Sequence, residues 1–212
     1  EYNRAYAYYK ELLEQEKGLS ERQRTLLSFN LGLVHFYRNN VKLAEEYFRK
    51  VRRSDHRFPK IHEFLGELLL RRGAVAEAVT ILQTAIVTDP YSWIGHYLLG
   101  MAYMRMYDWR NAYEEFVTAV DMDPLEPTTW QLCGEVLIAL HQLDEAEQYL
   151  RKALELNPHL IDAVANFGSL HMKRGDLQRA REYFEKALSL DPKHHKALQG
   201  KAQVGALTKL HS

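Results

Sequence analysis

Apolar side chains in this chain recur at steps of three and four, then stop at short polar breaks, many times over. In one stretch His96, Leu99, Gly100 and Tyr103 mark one face, and after a break Ala112, Phe116 and Ala119 mark another. That spacing gathers apolar residues into one stripe of an α-helix, so it predicts two amphipathic helices joined by a tight turn. The pattern itself repeats. Pro90, Pro124, Pro158 and Pro192 stand 34 residues apart, which phases the chain into units 59–92, 93–126, 127–160 and 161–194, with a weaker copy at 25–58 that has His56 in place of the proline. A fixed period of this length means stacked copies of one unit rather than a single irregular core.

Small residues hold fixed places in the unit. The eighth position is Gly32, Gly66, Gly100, Gly134 and Gly168, the twentieth Ala44, Ala78, Ala112, Ala146 and Ala180, and the twenty-seventh Val51, Ala85, Ala119, Ala153 and Ala187. Small side chains let two helix axes approach, and large ones between them fill the remaining space. Those are Leu31, Leu65, Leu99, Cys133 and Phe167 at position seven, and Phe48, Leu82, Phe116, Leu150 and Phe184 at position twenty-four. The break between the helices carries Asn39, Gly73 and Gly175 at position fifteen, with Tyr107 and His141 in the other two units. Asn and Gly tolerate the left-handed conformation that ends a helix. Each second helix is expected to stop at an Asp-Pro or Asn-Pro pair, because proline lacks the amide donor and disfavours helix in the residue before it.

Taken together, Gly at eight, Ala at twenty, Phe or Leu at twenty-four, Ala at twenty-seven and Pro at thirty-two resemble the tetratricopeptide repeat family over residues 25–194. The resemblance implies an all-α fold, a right-handed α-solenoid superhelix of antiparallel helix pairs, and a binding role for the face lined by the first helices. The fourth position departs from the family pattern: Trp130 is large, but Ser28, His62, His96 and Val164 stand elsewhere. Residues 1–24 read as the second half of a further repeat plus a linker, with Ala5, Tyr9, Leu12 and Leu13 as its apolar stripe. Ser20 with Gln23 three residues on has capping-box spacing and starts the next helix before position 25. Residues 195–212 follow the register of another first helix, with Leu198 at four and Ala202 at eight, but Lys201 at seven marks it as a solubilising cap. The chain begins at Glu1 and enters directly in helical pattern, which reads as an excised or processed segment.

Charge and chemistry change this picture little. Lys plus Arg equal Asp plus Glu at 28 each, so no overall attraction to nucleic acid is expected. No apolar run approaches the roughly 20 residues that span a bilayer, so no direct membrane insertion is expected. One cysteine allows no intrachain disulfide; this fits the cytoplasm, which is favoured, and also an envelope compartment. Cys133 takes a position that holds Leu or Phe elsewhere, and so reads as a small buried hydrophobe. His62-Glu63 opens like a zinc-protease helix, but Gly66 stands where the second histidine belongs. Phosphate-loop and nucleophile-elbow patterns are absent from the sequence. No catalytic residue, metal site or cofactor is expected, and the chain reads as a non-enzyme.

The resemblance sends positions two, five, nine, twelve and thirteen of each first helix into the concave groove. The groove residues it implies are Phe29, Leu33 and Phe36; Lys60, Glu63, Glu67 and Arg71; Tyr97, Met101, Met104 and Arg105; and Gln131 and Glu135. Aromatic and Met side chains offer adaptable contact area for an apolar helix or extended peptide; the alternative is that some of them only pad helix contacts. Phe29 and Tyr97 are the residues expected to be most exposed. A family clamp for a C-terminal carboxylate needs Lys and Asn where Phe29 and Leu33 stand, so that form of binding is not expected. Unit 25–58 holds seven basic and three acidic residues, and unit 93–126 two and six. The expected function is a protein-interaction adaptor or scaffold; the alternatives are self-assembly, with the basic end of one copy on the acidic middle of another, or the recognition arm of a larger enzyme or membrane-associated assembly.

Overall fold

The glycines at position eight are close-contact sites. A Cβ built on Gly32 would stand 2.5 Å from the Phe48 ring, on Gly66 2.4 Å from Leu82, on Gly134 2.7 Å from Leu150 and on Gly168 2.6 Å from Phe184. In each case the position-24 side chain of the second helix lies directly on the backbone of the first. All four of those side chains are fully buried, as are Ala44, Ala78, Ala146 and Ala180 beside them. Burying each such Phe or Leu is worth roughly 1.5–3 kcal/mol, and no void is left beneath it.

The computed structural model describes residues 2–14, 18–58 and 60–210. Their helices are α1 (Tyr2–Glu14), α2 (Glu21–Tyr37), α3 (Val41–Ser54), α4 (Ile61–Arg72), α5 (Val75–Thr88), α6 (Trp93–Arg105), α7 (Trp109–Met122), α8 (Pro127–Ala139), α9 (Leu143–Leu156), α10 (Ile161–Lys173), α11 (Leu177–Leu190) and α12 (His195–Leu210). The described residues form no strand. Two compact units, 1–102 and 103–212, divide the chain within α6. In the first, α1 packs on α2, α2 on α3, α3 on α4 and α4 on α5. In the second, α8 pairs with α9 and α10 with α11, each second helix also packs on the following first helix, and α8, α10 and α12 are neighbours. The fold is all-helical, built by sequential packing of helix pairs. Of the stripe expected on α1, the side chains of Ala5 and Leu13 lie outside the described residues.

Local geometry explains the turns. Position fifteen has positive φ in every unit: Asn39 56°, Gly73 83°, Tyr107 59°, His141 62° and Gly175 80°. The hairpin demands this conformation whatever the residue, and Tyr107 and His141 bear the steric cost that glycine avoids. At the other end of each unit, the residue after the second helix accepts a hydrogen bond from the backbone two residues on. Asp55 Oδ1 receives the Arg57 amide at 2.9 Å, Asn157 Oδ1 that of His159 at 3.0 Å and Asp191 Oδ1 that of Lys193 at 2.9 Å. Asp or Asn is therefore needed before the proline as a turn former as well as a stop. Ser20 and Gln23 close the capping box, and α2 starts at Glu21.

Neighbouring repeats are also joined by ion pairs that recur by position. Glu45 accepts from Arg49 at 2.8 Å on its own helix and from Arg72 of the next unit at 2.8 Å. Glu147 likewise binds Arg151 on its own helix and Arg174 of the next unit, the latter at 2.6 Å. The Arg174 guanidinium holds the Glu147 carboxyl below the usual carboxylate range. Between units 93–126 and 127–160 the matching position is Tyr113, whose hydroxyl donates to Glu145 at 2.8 Å.

The last helix corrects one expectation. Leu198 and Ala202 are exposed, while Ala197, Gly200 and Val204 are buried. Positions four and eight face a hairpin's own second helix, and among the described residues α12 has none. Its buried side instead meets α11, where a Cβ on Gly200 would stand 2.2 Å from the Phe184 ring. No helix of the described residues is long and apolar enough to cross a membrane.

The glycine contact generates a direct test. Gly134→Leu must displace Leu150 and is expected to cost roughly 3 kcal/mol in a denaturant melt. Gly205→Leu, at a site where a Cβ meets nothing within 4 Å, is expected to leave the midpoint almost unchanged.

Candidate functional site

On the first helices, the positions that packing leaves partly uncovered form one row. In the first unit this row belongs to α2, α4 and the start of α6. On α2, Leu26 is 50% and Tyr37 57% exposed, and Leu33 is half-buried between them in sequence. Spaced by seven and four residues, the three share one helix face.

Of the expected groove residues of α2, Phe36 belongs to the core and Phe29 is partly covered. Phe29 is half-buried, with its ring centroid 4.7 Å from Phe58, 5.6 Å from Phe64 and 5.8 Å from Phe48. Phe36 is buried at 4% exposure, against Phe64 and Phe48, and the Arg71 guanidinium lies 4.2 Å above its ring. The expected exposure of Phe29 fails because Phe58 and Phe64, from the next loop and helix, close over it. Arg71 is thus held twice, by a cation–π contact and by Glu67 at 2.6 Å. Lys60 is exposed, in the left-handed conformation just before α4. Glu63 is buried and accepts from the Ser92 hydroxyl. Burial pushes its carboxyl above the usual range, opposed by the Ser92 bond and the Lys60 charge. Glu63 therefore serves the repeat junction and is removed from direct contact with a partner. Tyr97 and Met101 are half-buried, and Tyr97 meets Trp93 edge-on at 5.9 Å.

In the second unit Met104 is half-buried and Arg105 exposed at the end of α6. Gln131 is buried and so is also removed from direct contact; its side-chain amide donates to Glu135 at 2.9 Å. Glu135 is the centre of a row across three helices. The Asn166 amide of α10 donates to it at 3.3 Å, and Lys196 of α12 reaches it at 2.6 Å while donating to Asn166 Oδ1 at 2.9 Å. This row walls a cleft of about 400 Å³ whose remaining lining includes Trp109, Ile138, Ala139, Ser169 and Lys173. A second cleft of about 410 Å³ begins at the same Lys173 and runs between Met172, Gln203, Ala206 and Leu207. The sequence reading missed Asn166 and Lys196. The available signal was an amide at a position that holds Leu98 and Leu132 in the two preceding units.

Buried titratable groups elsewhere serve packing. His35 stacks on Tyr47 and His171 on Tyr183, at the same two repeat positions, and burial lowers the pKa of both histidines. Cys133 is fully buried, which pushes its thiol far above the physiological range. Among the described residues no group of three or more His, Cys, Asp or Glu is placed to hold a metal ion.

Models of the tetratricopeptide repeat match residues 29–92, 127–160 and 162–194, together more than half of the chain. This chain belongs to the tetratricopeptide repeat family. No curated protein matches it. Among solved structures, a tetratricopeptide repeat protein from Parabacteroides merdae superposes with a TM-score of 0.75 at 19% identity, covering 87% of this chain and 73% of that one. MamA residues 41 to the end from Desulfovibrio magneticus RS-1 gives 0.72 at 20% identity, covering 81% and 97%. YrrB, described as a TPR protein with an unusual peptide-binding site, gives 0.70 at 20% identity, covering 92% and 97%. At these identities the likeness is one of fold. Within the tetratricopeptide frame, the outer row just described is the part of the first helices that packing leaves over.

Glu63 gives this surface a pH signature. The unfolded chain binds its proton only below about pH 4.3, whereas the folded chain retains it to higher pH, so this group's contribution to stability is full in acid and falls as pH rises. Glu63→Gln keeps an acceptor for Ser92 without the charge. Denaturant melts are expected to find the variant more stable than the parent at pH 7, with the gap closing near pH 4; a variant less stable at pH 7 would contradict the assignment.

Proposed function

We propose that this tetratricopeptide repeat protein is a non-enzymatic adaptor that holds a peptide or helix of a partner protein on the outer faces of its first helices. The observation that carries this reading is a pair of clefts in the second unit that share Lys173, one largely apolar and the other walled by a polar row whose members come from α8, α10 and α12. Such a surface, mostly apolar with a few fixed polar groups, suits a side chain and backbone amides better than a reacting substrate. Leu26, Leu33 and Tyr37 with Arg71, and separately Tyr97 and Met101, give the first unit contact surface of the same character. Repeat proteins of this family mediate protein–protein contacts, and the peptide-binding site named for YrrB supports a peptide as the bound form.

Affinity capture from source-cell extract tests the reading, with the chain as bait beside Tyr97→Ala/Met101→Ala and Ser169→Trp versions. Ser169 lines the cleft, and a tryptophan there would fill it. The expected result is a partner recovered by the parent and lost, or reduced about tenfold, with at least one variant of unchanged melting temperature. Equal recovery by all three baits would place binding elsewhere.

A further inference from the structure

The charges along the second unit's clefts are unevenly satisfied. The Glu135 carboxylate is neutralised by Lys196 at 2.6 Å, and Lys196 is further tied to Asn166. Arg174, the residue after α10, is tied to Glu147 at 2.6 Å and to Asp144 at 2.6 Å. Lys173 differs. It is exposed in the last turn of α10, and its side chain makes no ion pair with any carboxylate among the described residues. Among the described residues it is also the one common to both clefts, the first lined as well by Ile138 and Ala139 and the second by Met172, Ala206 and Leu207.

We infer that Lys173 selects partners carrying an internal Asp or Glu flanked by apolar residues, the carboxylate pairing with its ammonium and the neighbouring side chains entering the two clefts. This rests on the peptide-binding reading above. Charge complementarity gives the sign: with Glu135 cancelled, Lys173 is the uncompensated charge where the clefts meet, and a cation there favours an anion and disfavours a basic segment. An internal residue is favoured because Lys173 lines both clefts, so a carboxylate paired with it leaves lining in each cleft for the residues before and after it, whereas a terminal carboxylate offers a neighbour on one side only. The ammonium is solvent-accessible, so the pair supplies selectivity more than affinity, about two- to fivefold between acidic and neutral peptides at moderate salt.

Random dodecapeptides with amidated C-termini, panned on the whole chain and on its Lys173→Glu and Lys173→Met versions, test this, with melting curves to establish that all three fold alike. The parent is expected to enrich Asp or Glu between apolar residues. Lys173→Met is expected to lose the acidic preference while keeping the apolar one, and Lys173→Glu to enrich Lys or Arg at the same place. Acidic enrichment that survives in both variants would overturn the assignment, as would enrichment of Asp or Glu at the last position alone. Apolar peptides enriched equally by all three would overturn the role of Lys173 but leave the peptide-binding reading standing. Enrichment of no peptide by the parent would overturn both.

Discussion

Everything in this molecule depends on the contact between the position-eight glycine of one helix and the position-24 Phe or Leu of the next. Where Gly134 meets Leu150, or Gly168 meets Phe184, any side chain on the first helix would occupy space that the second has already filled. This sets the distance between the two helices of a hairpin, and the flanking alanines at positions twenty and twenty-seven keep the rest of the seam equally close. Phe184 extends the device by lying under Gly200 as well, so one ring holds both its own hairpin and the final helix.

Once that seam is set, the remaining faces have assigned work. The second helices α3, α9 and α11 pack both on their hairpin partner and on the following first helix, and the recurring Glu45 and Glu147 clusters tie that second contact with arginines from two repeats. First helices such as α10 meet their hairpin partner, the preceding second helix and the neighbouring first helices. Their outer rows retain half-exposed apolar and charged groups, and these are the residues on which partner recognition is proposed to rest.

Much of this is readable from the chain because a repeat supplies its own internal comparison. Five glycines at one position announce a close approach, and the Asp or Asn before each proline announces a turn. Tyr107 and His141 were less legible: neither residue type advertises a left-handed conformation, and only equivalence to Asn39, Gly73 and Gly175 reveals it. The binding surface was harder still. Register alone sends Phe29 and Phe36 to the groove, but register does not say that Phe58 and Phe64 arrive from outside the helix, both against Phe29 and Phe64 also against the buried Phe36. Nor does it find Lys196, which enters the second unit's polar row from a helix with no hairpin partner among the described residues. Leu198 shows the same in reverse: its position is apolar by register, yet it is exposed.

The central claim is that the seam within each helix pair holds the fold while the residues lining the second unit's clefts do the binding. Hydroxyl-radical footprinting of the chain, with and without a saturating peptide selected on it, tests this most directly. The account predicts that oxidation of Met172 and Trp109, which line the clefts, slows on binding, while Tyr149 and Tyr183, packed within the hairpins, react as before. Protection of Tyr149 or Tyr183 with Met172 and Trp109 unchanged would contradict it.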